Sequence, residues 1–153
     1  MSDENCVFCK IVKGEIPSFK IWENDKFIAI LDINPNCKGQ TLIITKEHYE
    51  SDITKMNDMM YSEMFLAAKE VSNILKKALN VRRVGIIYEG LGINHAHLKL
   101  YPIHGLKKDF EEIVNKEKVW FDEYPGYLTT KLGLQADFKE LEKLAEEIRK
   151  YSG

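Results

Sequence analysis

The sequence predicts an α+β fold: a five-stranded antiparallel sheet with helices. Five short runs rich in β-branched and aromatic residues follow one another mostly in hairpin-like succession. A single long amphipathic segment over residues 58–79 is inserted before the last pair of runs. The segment Asn94-His95-Ala96-His97-Leu98-Lys99-Leu100-Tyr101-Pro102 alternates polar and apolar side chains, as a strand with one functional face does.

Taken in order, a short helix is expected over residues 7–13, stopped by Gly14 at a C′ position. Strands over 19–23 and 27–32 are joined by the turn residues Asn24-Asp25. A loop rich in Pro, Asn and Gly over 34–39 leads into a third strand over 40–45, which ends just before His48. The long helix over 58–79 has Asn57 as N-cap candidate and an apolar stripe of Met60, Met64, Ala67, Ala68, Val71, Ile74, Leu75 and Ala78. Residues 83–88 and 95–103 supply the last two strands. After Gly105 the pattern changes: residues 107–118 alternate charge with few apolar anchors, and 120–127 concentrate aromatics around a turn. A final helix over 136–150 carries Phe138, Leu141, Leu144, Ala145 and Ile148 on one face.

At 153 residues the chain is long enough to bury a core without disulfides. Its 22 basic and 24 acidic residues nearly cancel, which gives no broad electrostatic footprint for nucleic acid or an anionic membrane. Without a signal peptide or an apolar run near eighteen residues, the expected location is the cytoplasm, and three cysteines, an odd number, agree with a reducing compartment.

Chemistry concentrates in two places. His95 and His97 stand at i and i+2, roughly 7 Å apart along a strand, beside a loop whose Gly90 and Gly92 let backbone amides approach an anion. That juxtaposition reads as a phosphate-handling site, although short glycine loops and single histidines are each weak signals. Near the N-terminus, Cys6-x-x-Cys9 brings two thiols to one side of a turn, and zinc commonly completes such a pair with two imidazoles from among His48, His95, His97 and His104. A dithiol redox role is the weaker reading, since redox motifs of this spacing follow a strand and open a helix. Cys37 is read as an ordinary free thiol.

The ordered series Cys6-x-x-Cys9, Gly14-Glu15-Ile16-Pro17, Phe27-Ile28-Ala29-Ile30-Leu31-Asp32-Ile33, Gly39-Gln40-Thr41-Leu42-Ile43-Ile44, His48 and His95-x-His97 resembles the histidine triad superfamily of nucleotidyl hydrolases and transferases. The resemblance covers about residues 4–104. It implies a homodimer that joins two five-stranded sheets into one, and a division into a histidine triad domain over 1–104 and a C-terminal extension over 105–153 packed on the same domain or on the partner. It also implies that His97 attacks the α-phosphorus of a nucleotide to form a nucleotidyl-histidine that water then hydrolyses. By the same resemblance Cys6, Cys9, His48 and His95 hold a structural zinc. Asp32 accepts the ribose hydroxyls, and Val7, Phe8, Ile11, Ile30 and Ile33 wall a purine pocket. Asn34, just beyond Ile33, could touch ribose or stay in the loop, and Asn94 could supply a polar contact to phosphate.

Lys99 departs from the pattern, because most members carry a third histidine there to help bind the phosphate. An ammonium could serve as a charge donor but would not share protons near neutrality. The galactose-1-phosphate uridylyltransferases also lack that histidine. The resulting expectation is a cytoplasmic enzyme that releases a nucleoside monophosphate from a phosphoramidate, a dinucleoside polyphosphate or another nucleotidyl conjugate, with no catalytic metal. Transfer to an acceptor other than water is a near variant. The alternative is a nucleotide-binding or sensing module with little or no turnover.

Overall fold

The structure is a computed structural model that describes residues 4–151; the outermost residues of the two expected parts, 1–3 and 152–153, lie outside it. Helix α1 (Val7–Val12) begins after Cys6, whose backbone is extended, and gives way to Gly14 at φ +78°. Strands β1 (Lys20–Glu23), β2 (Phe27–Leu31) and β3 (Thr41–Thr45) follow, and a 3₁₀ turn (Ile53–Lys55) precedes helix α2 (Asp58–Leu79). Strands β4 (Arg83–Ile87) and β5 (His97–Ile103) complete a single five-stranded sheet in the order β1-β2-β3-β5-β4, antiparallel at every pairing. Helix α3 (Phe138–Arg149) lies in the C-terminal region.

The two faces of the sheet are set by alternation along the central strands. Phe27 and Ala29 of β2, Ile43 of β3, and Leu98 and Leu100 of β5 pack with Met60, Met64, Ala67, Ala68, Val71 and Leu75 of α2. Each fully buried large apolar side chain of this set contributes about 1.5–3 kcal/mol relative to exposure. The intervening residues Ile28, Ile30, Leu42 and Ile44 face the other way and pack with Cys6, Phe8 and Cys9 at α1. Both faces of β2 and β3 are therefore covered, which explains why their sequences read as nearly unbroken apolar runs. Because His97 and Lys99 alternate with Leu98 and Leu100, they lie on the α1 side, where His97 pairs with Ile44 and Lys99 with Leu42.

Helix α2 is capped as its sequence suggests. Asn57 Oδ1 accepts the Met60 N–H at 3.0 Å, and the chain leaves through Asn80 in the left-handed conformation, one that asparagine tolerates better than most residues. Ile74 and Ala78 are exposed, so the buried arc narrows towards the C-terminal end, while Ser72 is buried with the stripe.

The chain divides into one compact unit ending at Glu111 and a second beginning at Glu112. Residues just beyond the expected boundary at 104 belong to the first unit because β4 and its approach hold them. Arg82 pairs with Asp109 at 2.8 Å, Arg83 bonds the Asp109 carbonyl, and the Arg83 guanidinium stands 5.9 Å from the centre of the Phe110 ring. In the second unit, Val119 N–H donates to the Leu132 carbonyl, and Asp137 caps α3 by accepting the N–H groups of Lys139 and Glu140. Among the described residues, no helix is long and apolar enough to cross a membrane.

Candidate active site and metal centre

His97 opens β5, the inner strand between β3 and β4, and is 5% exposed. Its Nδ1–H donates to the carbonyl of His95 at 2.7 Å, which leaves the lone pair on Nε2. The edge of the Phe8 ring lies against the imidazole, with centroids 5.3 Å apart. Burial pushes the His97 pKa below its ordinary value, more than the His95 carbonyl bond raises it, and nearby Lys99 lowers it further. The side chain is thus a neutral imidazole of fixed tautomer, which is the form in which a histidine can act as a nucleophile.

His95 lies just ahead of β5 rather than within it, although its backbone remains tied to the sheet. Ala96 N–H donates to Tyr49 O at 2.9 Å and Thr45 N–H to Ala96 O at 3.4 Å. The His95 ring turns towards the cysteine pair. Cys6 and Cys9, three residues apart on one helical turn, place Sγ atoms 3.3 and 3.5 Å from His95 Nδ1, and Cys9 Sγ is 3.3 Å from His48 Nδ1. All four ligand atoms lie within 4.8 Å of one another. A tetrahedral zinc bound by two thiolates and two imidazoles has ligand-to-ligand edges of roughly 3.3–3.8 Å. The donor set therefore fits zinc in chemistry, and its three S···N distances of 3.3–3.5 Å match such edges.

The surroundings favour the same occupant. His95 Nε2–H donates to the Thr45 carbonyl at 2.8 Å, with Thr45 Oγ1 at 3.0 Å, so the tautomer presents Nδ1 unprotonated to the thiols. Burial lowers the His95 pKa to about 4, which keeps it neutral as a metal ligand must be. His104 stands apart from this cluster, exposed, with Nε2 donating to the Lys38 carbonyl at 2.8 Å. Cys37 is a free thiol whose pKa burial pushes up.

Lys99, two residues along the strand from His97, makes an ion pair with Glu89 at 2.8 Å, the two side chains being 26% and 14% exposed. Burial alone would lower the Lys99 pKa, but the bond to Glu89 and its charge outweigh that and leave it raised. Glu89 is a site residue that no motif in the sequence marks. The register brings it there: Ile87 pairs with Lys99, and Glu89 follows two residues later on the same side.

The residues expected to hold a nucleoside fall into two groups. Phe8 and Ile30 are buried in the α1-side cluster, with Ile11 packed against it; Ile33 is 77% exposed, and Val7 and Asn34 are also exposed. Asp32 is held in place from two sides: Oδ1 accepts the Asn34 N–H at 2.8 Å and Oδ2 accepts Gln40 Nε2 at 2.7 Å. Gln40 is itself buried and fixed, its Oε1 accepting the Asn36 N–H at 2.7 Å. A glutamine heading an otherwise apolar strand is the sequence feature that marks this supporting position, since a buried polar side chain must find partners. Asn94 uses its Oδ1 to accept the Ser51 N–H at 2.9 Å, which ties the glycine loop to the segment before α2. A cavity of about 440 Å³ is lined by Asn94 together with His48, Tyr49 and Asp52.

Residues 13–105 match the HIT domain family. An adenosine 5′-monophosphoramidase of Candida albicans is 34% identical over 158 residues, covering 97% of this chain and 95% of that protein. Among solved structures, a protein of Streptococcus mutans UA159 is similar with a TM-score of 0.72 and 30% identity, covering 99% of this chain and 88% of that one. A zinc-bound histidine triad family protein of Mycobacterium smegmatis is similar with a TM-score of 0.59 and 30% identity, covering 67% of this chain and 78% of that one.

Proposed function

The chain belongs to the HIT family, and on that premise we propose that it releases a nucleoside monophosphate from a nucleotidyl conjugate by way of a nucleotidyl-histidine on His97. The observation that carries this reading is the buried His97 ring, whose Nδ1–H is committed to the His95 carbonyl. Nε2 attacks the α-phosphorus, the bond to the leaving group breaks, and the electron pair departs with that group. The phosphorylated ring is an imidazolium, and the His95 carbonyl beside Nδ1–H stabilises its charge. Water then attacks phosphorus, the P–N electrons return to Nε2, and the proton of the water passes to solvent. The activity of the Candida albicans relative on an adenosine monophosphoramidate supports an adenylyl group as the transferred unit.

Asp32 receives the ribose hydroxyls in this reading. Each of its oxygens already accepts one hydrogen bond and keeps further acceptor capacity. Phe8, Ile11, Ile30 and Val7, with Ile33 and Asn34 from the adjoining loop, form the base and ribose walls, and Asn94 and Lys99 serve the phosphate end. Zinc held by Cys6, Cys9, His48 and His95 would cross-link α1 to the sheet and, with no ligand position left open, would take no part in the chemistry. His95 then does two things: its ring binds the metal and its carbonyl orients His97.

The protein acts as a homodimer in this reading, joined along β4, with the extension after residue 104 packed on its own domain or on the partner. The outer strand β1 carries Lys20 and Glu23, whereas β4 after Arg83 reads Val-Gly-Ile-Ile and lacks such guards. The test is release of AMP from adenosine 5′-phosphoramidate and from diadenosine tetraphosphate by the wild type and by His97→Ala. Loss of release in the variant, with AMP still bound, is the expected result. Binding by the wild type without release would replace this reading with that of a nucleotide-sensing module.

A further inference from the structure

The ion pair beside His97 bears on which conjugates the site can cleave, an inference that rests on the hydrolase reading above. Glu89 is not a loosely held surface carboxylate. On one side of it, the Tyr88 hydroxyl donates to the Ser51 carbonyl at 2.6 Å and accepts the Ile53 N–H at 2.9 Å. On the other, the Ser51 hydroxyl donates to the Gly90 carbonyl at 2.7 Å. Gly90 has φ +72°, and a Cβ there would come within 2.5 Å of the Tyr88 hydroxyl oxygen, so the loop closes only with glycine at this point. Both neighbours of Glu89 are thus clamped to Ser51, and its carboxylate locates the Lys99 ammonium from a rigid base.

We infer that Glu89 is a positioning residue that fixes Lys99 as a permanent cation beside His97, and that the pair makes this site select conjugates whose leaving group departs as a stable oxyanion over those whose leaving group must be protonated. An ammonium has three donors; Glu89 occupies one, so others can reach phosphate oxygens. What the pair does not supply is a proton near neutrality. A histidine at this position would hold one that it could release, whereas the carboxylate stabilises the charged form of Lys99.

The consequence follows from counting protons in the first step. With a phosphate–sulfate, phosphate–carboxylate or phosphate–phosphate anhydride, the Nε2–P bond forms, the P–O bond breaks, and the electron pair leaves on an oxygen that is already a weak base. No proton is required. With a phosphoramidate the P–N bond breaks, and the pair would leave on an amide anion unless a proton reaches the nitrogen. A site with a locked cation performs the first reaction well and the second poorly.

The experiment compares kcat and KM for AMP release from adenosine 5′-phosphosulfate and from adenosine 5′-phosphoramidate. The wild type is expected to favour the phosphosulfate by about tenfold or more in kcat/KM, and Lys99→His to reduce that preference by about tenfold, mainly through a gain in kcat on the phosphoramidate. Glu89→Gln, which leaves the ammonium unanchored, is expected to lower kcat on the phosphosulfate by about tenfold, with Glu89→Asp recovering part of the loss. Equal or faster cleavage of the phosphoramidate by the wild type overturns the inference, as does a preference that Lys99→His leaves unchanged. Either of those results leaves the hydrolase reading standing, whereas AMP release from neither substrate overturns both.

Discussion

Gln40 shows how a single buried polar side chain can set a binding site at one remove. Its amide nitrogen holds Asp32 and its amide oxygen holds the Asn36 N–H, so both halves of the amide are spent on the loop that would carry ribose. Truncating Gln40 to alanine removes a charge-assisted hydrogen bond from Asp32 and leaves its carboxylate to find another orientation. The expected effect is a five- to tenfold weaker Kd for AMP, about 1–1.4 kcal/mol, with a smaller change in kcat. Isothermal titration of AMP into Gln40→Ala checks this, and an unchanged Kd would remove Asp32 from the ribose site.

Cys9 carries the metal reading at the same scale. It touches both candidate histidine ligands and is buried at 3% exposure. If the cluster holds zinc, Cys9→Ser should lower bound zinc from about one per chain to well below half, with a loss of stability at the large end for single substitutions, about 4 kcal/mol or more. Metal analysis and thermal unfolding of the two proteins measure both. A variant with undiminished zinc would point to a different set of ligands.

At the scale of elements, α2 is the part where local and tertiary demands agree best. Its N-cap, its left-handed exit at Asn80 and its apolar stripe all suit one helix packed on one face of the sheet. Ser72 is the exception. Its hydroxyl is buried and, among the described residues, has no hydrogen-bond partner. Ser72→Ala removes the desolvated hydroxyl and places the best helix former in the middle of a helix. A gain of about 1 kcal/mol in urea unfolding, with an unchanged m-value, is the expected outcome.

For the whole molecule, the exposed apolar residues bear on assembly. Ile86 on the outer strand β4 and Ile74 on α2 are both exposed, on elements that pack against each other. If β4 joins two sheets, Ile86→Lys should convert a dimer to a monomer in sedimentation equilibrium while the far-ultraviolet circular dichroism stays native. The buried hydrophobic residues of the described chain run from Cys6 to Leu100, and none belongs to the unit that begins at Glu112. Removal of residues 112–153 should therefore leave a cooperatively unfolding chain, measured by the same denaturation. In the second unit Phe138, Leu141, Leu144 and Ile148 of α3 are all exposed, in keeping with the amphipathic pattern of that helix.

Features that depend on neighbours along the chain were legible in the order of residues. Alternation over 94–102 placed His97 and Lys99 on one side of a strand, the 3.6-residue stripe and its caps fixed α2 at the bounds observed, and the Cys-x-x-Cys spacing put two thiols on one turn. Tertiary structure decided what depends on residues far apart in sequence. Thr45 and His95 are 50 residues apart, Ser51 and Gly90 are 39 apart, and no period or local spacing relates either pair. The tautomer of His95 follows from that distant Thr45 carbonyl, whereas the tautomer of His97 is set locally by the carbonyl of His95, two residues before it. The physical reason is that backbone geometry repeats over a few residues and so is written locally. A buried polar group, by contrast, must be satisfied by whatever the completed fold brings beside it.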